Sequence, residues 1–257
     1  MNKILSLDDP NIKEFLNLKE FNLKNKNYIC AQSEKVVLKL LQSPFNTLKV
    51  FATESFFSRN EKVFSSKLNI KKLVAEKNLV KTIIGHNHHQ GVFALAERPS
   101  YYPITSLDSK ILILNGLTSP ENVGSLCRTA AAFNINSIVI DYKTVNPYLK
   151  RPIRVSMGNI FQLKVHLSED LPRTLVDLKK RNYKVFGTAN EEGSISIESS
   201  NLPEKAALII GSEGHGIDSE IKNLCDNILK INVTQNVMHL NAASAGAIFL
   251  YELSKKR

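Results

Sequence analysis

The stretch ILILNGLTSPENVGSLCRTA, residues 111–130, joins an apolar run to a helix-like run through a loop that contains proline. Its first four residues are all Ile or Leu, which is typical of a strand covered on both faces of a parallel sheet. A helix is predicted from Asn122 to Phe133. Similar apolar runs predict strands at 137–140, 183–186, 207–210 and 228–231, and helices are predicted at 170–181 and about 240–255. This alternation predicts an α/β fold with a parallel sheet.

Upstream of this region the chain predicts a second, smaller α/β domain. Residues 97–104 carry two prolines and show neither a helical nor a strand period, so they indicate a linker. We place the boundary near residue 105, with domains at 1–105 and 106–257. In the smaller domain, helices are predicted at 11–20 and 33–41, and strands at 28–31, 48–52 and 92–96.

The chain is basic, with a formal net charge of +10. Residues 1–108 hold 16 Lys and Arg against 10 Asp and Glu, whereas residues 109–257 hold 18 against 14. The smaller domain is therefore the denser in positive charge. Such a balance favours an acidic partner such as nucleic acid, although charge alone is equally compatible with a basic protein that has no polyanion partner.

The three cysteines are scattered and show no CxxC spacing, so we expect a reducing cytoplasm, no disulfide framework and no zinc site. The first six residues are followed at once by Asp8, Asp9 and Pro10, which leaves no apolar core for a signal peptide. No apolar run approaches the ~20 residues of a membrane span, so no membrane association is expected.

A glycine-rich motif, GSEGHG at 211–216, follows the predicted strand 207–210. Glycine permits a positive φ and lets a backbone pass close to a ligand, although an ordinary strand–helix turn has the same composition. The spacing matches neither GxGxxG nor GxxxxGK[ST]. A nucleotide-dependent dehydrogenase and a P-loop protein are therefore not supported.

Two further features carry possible chemistry. Arg128 lies two turns into the apolar helix that starts near Asn122, where a guanidinium is suited to bidentate phosphate binding. The alternatives are a helix cap for Asn122 and a solvated face for Arg128. The small residues of NAASAGA, 241–247, permit close approach of a helix, a strand or a flat ligand, and are equally suited to core packing.

Three histidines crowd the segment HNHHQG, residues 86–91. No carboxylate or cysteine lies near them in the sequence, so a metal site is the weaker interpretation. Histidine and glutamine can hydrogen-bond phosphate, sugar or base edges, which favours an RNA-facing loop.

Taken in order, the motifs at 115–130, 208–216 and 239–252 resemble those of the SpoU (TrmH-like) RNA ribose 2'-O-methyltransferases of the SPOUT class. The resemblance covers residues 109–257. It implies a trefoil-knotted parallel-sheet domain and a homodimer. Residues 1–98 resemble more weakly the family's N-terminal substrate-binding domain, an RNA binder of the ribosomal L30e type.

The resemblance also assigns roles to residues. Gly211, Ile231 and Leu240 match positions that contact S-adenosylmethionine. The positions that match the polar active site are Asn122, Arg128, Glu213 and Asn241. Arg128 would anchor the phosphate and stabilise the developing alkoxide, Glu213 would orient its partners, and the two asparagines would hold the loops. No metal is required.

The sequence departs from the family pattern at two positions. Asn232 stands where the family usually has Pro, and His239 stands where it usually has Ser. The second departure puts the local polar contacts of the site in doubt. It leaves open a non-catalytic RNA-binding or ribosome-assembly protein that retains the methyltransferase fold.

The prediction is therefore a cytoplasmic enzyme that methylates a ribose 2'-hydroxyl in RNA with S-adenosylmethionine. Ribosomal RNA is favoured over transfer RNA as the partner.

Overall fold

The structure is a computed structural model and describes residues 1–16, 27–84, 91–234 and 240–255. The strands are β1 (Asn2–Lys3), β2 (Tyr28–Gln32), β3 (Thr47–Ala52), β4 (Lys71–Val74), β5 (Phe93–Glu97), β6 (Lys110–Asn115), β7 (Ser137–Asp141), β8 (Lys164–Ser168), β9 (Lys184–Thr188), β10 (Ile195–Ser196), β11 (Ala206–Gly211) and β12 (Asn227–Lys230). The helices are α1 (Lys13–Leu16), α2 (Glu34–Gln42), α3 (Glu54–Arg59), α4 (Glu61–Ser65), α5 (Lys77–Ile84), α6 (Pro120–Ala132), α7 (Lys150–Val155), α8 (Leu171–Lys180), α9 (Ser219–Asn223) and α10 (Ala242–Ser254).

The chain forms two compact units, and their division differs from the predicted boundary near residue 105. The first unit comprises Met1–Pro99 together with Tyr148–Phe161, and the second comprises Ser100–Pro147 and Gln162–Arg257. The segment Tyr148–Phe161, placed by sequence in the larger domain, therefore belongs to the first unit. Its α7 packs against β2, and the rings of Tyr148 and Phe161 both contact Phe45.

The first unit contains a mixed five-stranded sheet in the order β1-β4-β3-β5-β2. β3 pairs in parallel with β4 and antiparallel with β5, which is in turn antiparallel to β2. A cluster of three aromatic rings, Phe15, Phe51 and Phe93, fills the core on one face. The predicted strands at 28–31, 48–52 and 92–96 are confirmed. The likeness to an L30e-type domain stays a prediction.

The second unit is built on a seven-stranded sheet in the order β10-β12-β9-β11-β6-β7-β8, with every strand pair parallel. This confirms the predicted α/β fold and the five predicted strands. β11 and β6 lie at the centre and are buried almost throughout, as their Ile, Leu and Ala residues require. The trefoil knot stays a prediction.

The register of this sheet brings three strand ends into line. Gly211 at the end of β11 pairs with Asn115 at the end of β6, and Leu114 pairs with Ile140 one residue before the end of β7. Because the strands are parallel, the loops that follow β6, β7 and β11 leave from the same edge. The first two sequence motifs therefore meet at this carboxyl edge.

The small residues of α10 serve close helix packing. A Cβ added to Gly246 would lie 2.2 Å from Leu126 Cδ2, so α10 approaches α6 more closely than a larger residue would permit.

The predicted linker is also packed. The Tyr102 amide donates to the Val165 carbonyl at 2.8 Å, and Asn146 donates to the Tyr101 hydroxyl at 2.7 Å.

Within the described ranges, no helix has the length and apolar character needed to cross a membrane.

Candidate active site

Asn122 lies in the first turn of α6 but does not cap it. Ser119 is the N-cap, with its hydroxyl oxygen accepting from the Asn122 amide at 3.3 Å, and Pro120 occupies the first helical position. The Asn122 side chain is therefore available for another partner. The side-chain nitrogen, Nδ2, donates to Glu213 Oε1 at 2.6 Å.

Asn241 is the N-cap of α10 and reaches the same carboxylate. Its Oδ1 accepts from the backbone amides of Ala243 and Ser244. This orients the side chain so that its Nδ2 points away from the helix. That nitrogen donates to Glu213 Oε1 at 2.6 Å and to Asn122 Oδ1 at 3.2 Å. We call Asn122, Glu213 and Asn241 the Asn–Glu–Asn cluster. It unites one residue from each of the three sequence motifs.

The loop that carries Glu213 folds back on its own strand. Ser212 and Gly216 exchange two backbone hydrogen bonds of 3.0 and 2.8 Å. A Cβ on Gly211 would lie 2.2 Å from the backbone carbonyl carbon of Gly216. The close approach that requires glycine at 211 is therefore made by the protein's own loop, as in the ordinary strand–helix turn that the sequence also permits, and the assignment of Gly211 to the cofactor stays a prediction.

A buried carboxylate, Asp141, fixes the loop between β6 and α6. Its Oδ2 accepts from the Asn115 side chain at 2.8 Å and from the Gly116 amide at 3.0 Å. Its Oδ1 accepts from the amide and the hydroxyl of Thr144 at 2.8 and 2.7 Å. Four donors satisfy this carboxylate, which is 3% exposed. Sequence reasoning missed Asp141, although an acidic residue ending an apolar strand was a usable signal.

Arg128 stands apart from the cluster. Arg128 lies six positions after Asn122, so the two side chains leave α6 about 120° apart around the helix axis. Arg128 is exposed and forms no hydrogen bond or ion pair with any residue that the structure describes. Of the four predicted polar site residues, the structure thus brings three together and leaves Arg128 outside.

A pocket of about 130 Å³ opens at the carboxyl ends of the neighbouring strands β9 and β12. Two of the three residues predicted to bind the cofactor, Ile231 and Leu240, line it, whereas Gly211 is not among its lining residues. The other lining residues, which the sequence did not single out, are Thr188, Ala189, Asn190, Lys230, Val233, Ala245 and Phe249. The position of 188–190, two residues beyond the predicted strand 183–186, was the signal that could have found three of them.

The structure describes one of the two residues that depart from the family pattern, Asn232, and not the other, His239. Asn232 Nδ2 donates to Ser196 Oγ at 3.0 Å, which links the segment after β12 to the edge strand β10. His239 lies outside the described residues, as do His86, His88, His89 and Gln90 of the predicted RNA-facing loop. Among the residues that are described, no group of three His, Cys, Asp or Glu side chains could hold a metal ion.

Comparisons with known proteins agree with this arrangement. An uncharacterized tRNA/rRNA methyltransferase of Mycobacterium bovis is 24% identical over 96% of this chain and 90% of its own length. A Bacillus subtilis protein assigned to the TrmH family of tRNA/rRNA methyltransferases is 33% identical over 72% of this chain and 76% of its own length.

Solved structures share the fold over almost the whole chain. An S-adenosylmethionine-bound rRNA methyltransferase from Sinorhizobium meliloti superposes with a TM-score of 0.84 at 21% identity, covering 98% of this chain and 97% of that one. The SpoU methyltransferase AviRb from Streptomyces viridochromogenes, in complex with the same cofactor, gives 0.81 at 18% identity, covering 96% and 97%.

The SpoU rRNA Methylase family model matches residues 109–251, more than half of the chain. This match spans the first two motifs, all but the last residue of the third, and every member of the Asn–Glu–Asn cluster. The chain belongs to the SpoU rRNA methylase family of RNA methyltransferases.

Proposed function

We propose that the protein transfers a methyl group from S-adenosylmethionine to a ribose 2'-hydroxyl in RNA. The observation that carries this proposal is the adjacency of Leu240, which lines the pocket, and Asn241, which belongs to the Asn–Glu–Asn cluster. A cofactor site and a polar site are thus joined through one peptide bond at the start of α10.

The residues of the pocket suit S-adenosylmethionine. Ile231, Val233, Leu240 and Phe249 supply apolar surface for a flat adenine ring, and the small side chains of Ala189 and Ala245 leave room beside it. Ligands of parallel α/β sheets bind outside the carboxyl ends of the strands, which is where this pocket lies. Residues 235–239, between two of the lining residues, lie outside the described part of the chain.

S-adenosylmethionine supplies a methyl group on a sulfonium, which is strongly electrophilic. Transfer would break the carbon–sulfur bond and form a carbon–oxygen bond, and the hydroxyl proton would leave to water. Because a ribose hydroxyl is a weak nucleophile, the protein must chiefly position it and stabilise negative charge. Glu213 is suited to the first task, since two amide donors hold Oε1 and leave Oε2 to accept from the hydroxyl.

Arg128, which lies outside the cluster, is our candidate for anchoring an RNA phosphate next to the reacting ribose, from where its positive charge also favours the developing alkoxide. Its guanidinium is cationic and can bind a phosphate in a bidentate manner. In the described structure it is exposed and has no protein partner, so it is available to an RNA phosphate. The site requires no metal in this proposal.

Ribosomal RNA is the substrate that we favour over transfer RNA. The matching family is described as rRNA methylases, and the structure from Sinorhizobium meliloti is that of an rRNA methyltransferase. The net charge of +10 suits a nucleic acid partner, and the first unit, Met1–Pro99 with Tyr148–Phe161, carries the excess, with 19 Lys and Arg against 9 Asp and Glu, whereas the second unit holds 15 of each. We assign RNA recruitment to the first unit on this ground.

We also propose a homodimer. α10 is mostly apolar, with Glu252 its only charged residue, and Ile248 and Tyr251 stay 41% and 51% exposed on it. A helix with so little polar surface is typical of burial on most sides, and a second copy of the second unit would cover the exposed apolar residues.

Calorimetric titration with S-adenosylmethionine tests the cofactor assignment. The wild-type protein should bind, and Ala245→Leu should weaken binding at least about tenfold because the added side chain fills the pocket. Val176→Leu, an exposed change on α8, is the matched control and should bind like the wild type. A wild-type protein that binds RNA but no cofactor would favour the non-catalytic RNA-binding alternative.

A further inference from the structure

Tyr142 is the most exposed aromatic residue described in the second unit, at 73% exposure. A single exposed aromatic residue is ordinary on a protein surface and by itself signifies little. Tyr142 differs from an ordinary surface residue in how firmly its backbone is held and in where the sheet places it.

The turn that carries Tyr142 is anchored on both sides. Asp141, immediately before it, is buried and accepts four hydrogen bonds. Two of these come from Thr144, whose hydroxyl oxygen in turn accepts from the Leu117 amide, just after β6, at 3.2 Å. Residues 142 and 143 therefore project from a fixed turn whose ends are tied to β6 and β7. The side chain is exposed although its backbone has little freedom.

Lys143 and Asp218 complete the surroundings of the ring. Lys143 Nζ lies 5.9 Å from the Tyr142 ring centroid and 2.9 Å from Asp218 Oδ2. Asp218 is in turn held by its own amide, which donates to Asn115 Oδ1 at 3.1 Å. An aromatic face beside a lysine is the combination with which proteins bind single-stranded nucleic acid, because the base stacks and the cation attracts the backbone.

The sheet places Tyr142 on the same edge as the Asn–Glu–Asn cluster. Tyr142 follows the end of β7, and Glu213 follows the end of β11, with only β6 between these two strands. Adjacent strands are ~5 Å apart, so the two strand ends are separated by roughly 10 Å. That span suits a base close to the nucleotide held by the cluster.

We propose that Tyr142 is a stacking platform for an unpaired base of the RNA substrate, with Lys143 beside it. This inference rests on the proposed function, since it takes RNA as the substrate. It adds a substrate contact on the turn after β7, outside all three sequence motifs. Selectivity for an unstacked nucleotide follows, because only a splayed base offers its face to the ring.

The absence of tryptophan from the sequence provides a direct test. Tyr142→Trp places the sole indole of the protein at the platform. A mixed-sequence, single-stranded 20-nucleotide RNA should quench its fluorescence as a base stacks on it. Val176→Trp, on α8, is the matched control and should show no quenching by the same RNA.

Affinity measurements with the same RNA complete the test. Tyr142→Ala should weaken binding about 5- to 150-fold, the loss typical of one stacked base, while Tyr142→Phe should bind like the wild type. Binding of S-adenosylmethionine should be unchanged in both variants. The inference would be overturned if the RNA leaves the fluorescence of Tyr142→Trp unchanged and Tyr142→Ala binds RNA as tightly as the wild type. Methylation of RNA by the wild-type protein in the same experiments would show that the proposed function nevertheless holds.

Two further outcomes separate the inference from its foundations. A wild-type protein that transfers no methyl group to RNA would overturn the proposed function. Quenching of the Tyr142→Trp fluorescence by RNA would still show that a base stacks on residue 142, because that measurement does not depend on methyl transfer. A fall in molecular mass by light scattering in Tyr142→Ala would assign the residue to a contact between copies and overturn the inference.

Discussion

Asn241 joins the start of α10 to Glu213. Its Oδ1 accepts from two backbone amides of the helix, and its Nδ2 donates to Glu213 Oε1 at 2.6 Å. One side chain thus caps a helix and orients a carboxylate, and substitutions can separate these two tasks.

Asn241→Asp should retain the cap, since Asp and Asn cap helices equally well, but it places a second carboxylate beside Glu213. Asn241→Ala should lose the cap and about 1 kcal/mol of stability. We expect turnover to fall in both variants, with thermal unfolding clearly shifted only in the second. Unimpaired turnover in Asn241→Asp would show that the hydrogen bond to Glu213 is not needed.

Arg128→Ala should reduce turnover by ~10²–10³ while cofactor affinity changes only a few-fold, because Arg128 lies away from the cofactor pocket. Stability should stay within about 0.5 kcal/mol, since the side chain is exposed and forms no hydrogen bond or ion pair with a described residue. Single-turnover methylation rates provide the measurement, and Arg173→Ala on α8 is the control. Near-normal rates in Arg128→Ala would remove this residue from the mechanism.

Gly211→Ala and Gly214→Ala form a matched pair within one loop. A Cβ at 211 would lie 2.2 Å from the backbone of Gly216, whereas a Cβ at 214 would meet nothing within 4 Å. We expect a loss of roughly 1–3 kcal/mol for the first and nearly none for the second, measured by chemical denaturation. Equal effects would mean that the loop does not pack on β11 as described.

The thiols should be inert in the folded protein near neutral pH. Burial raises the pKa of Cys30 and of Cys127 from 9.0 to about 12, and that of Cys225 to about 11. Their protonated forms therefore stabilise the fold below about pH 9, and this contribution is lost as the pH rises toward 12. Labelling with a thiol reagent at pH 8 should be slow until denaturant is added. Rapid labelling of Cys30 or Cys127 in the native protein would contradict the described core.

The sequence predicts the parts of the fold that are uniformly apolar. β6, β7 and β11 carry recognisable Val, Ile and Leu runs because neighbours cover both of their faces, while the shorter apolar runs of β9 and β12 were also sufficient for prediction. β8, with sequence KVHLS, was not predicted, because it is an edge strand in which polar and apolar residues alternate. α7 was not predicted either, and it carries Pro152 in its first turn, where proline is tolerated.

The site was less accessible to sequence reasoning. The family resemblance supplied Asn122, Glu213 and Asn241, and composition could not show that three segments so far apart meet on one carboxylate oxygen. Ser119 rather than Asn122 caps α6, which no spacing rule distinguishes, since both residue types are good caps. The membership of Tyr148–Phe161 in the first unit depends on tertiary contacts alone.

Transfer of the labelled methyl group of S-adenosylmethionine to unmodified ribosomal RNA, followed by nucleoside analysis, tests the central claim most directly. The account predicts label on a ribose 2'-oxygen, no label on DNA of matching sequence, and loss of transfer in Glu213→Gln. Label on a base, label on DNA, or no transfer by a protein that binds both the cofactor and RNA would contradict it.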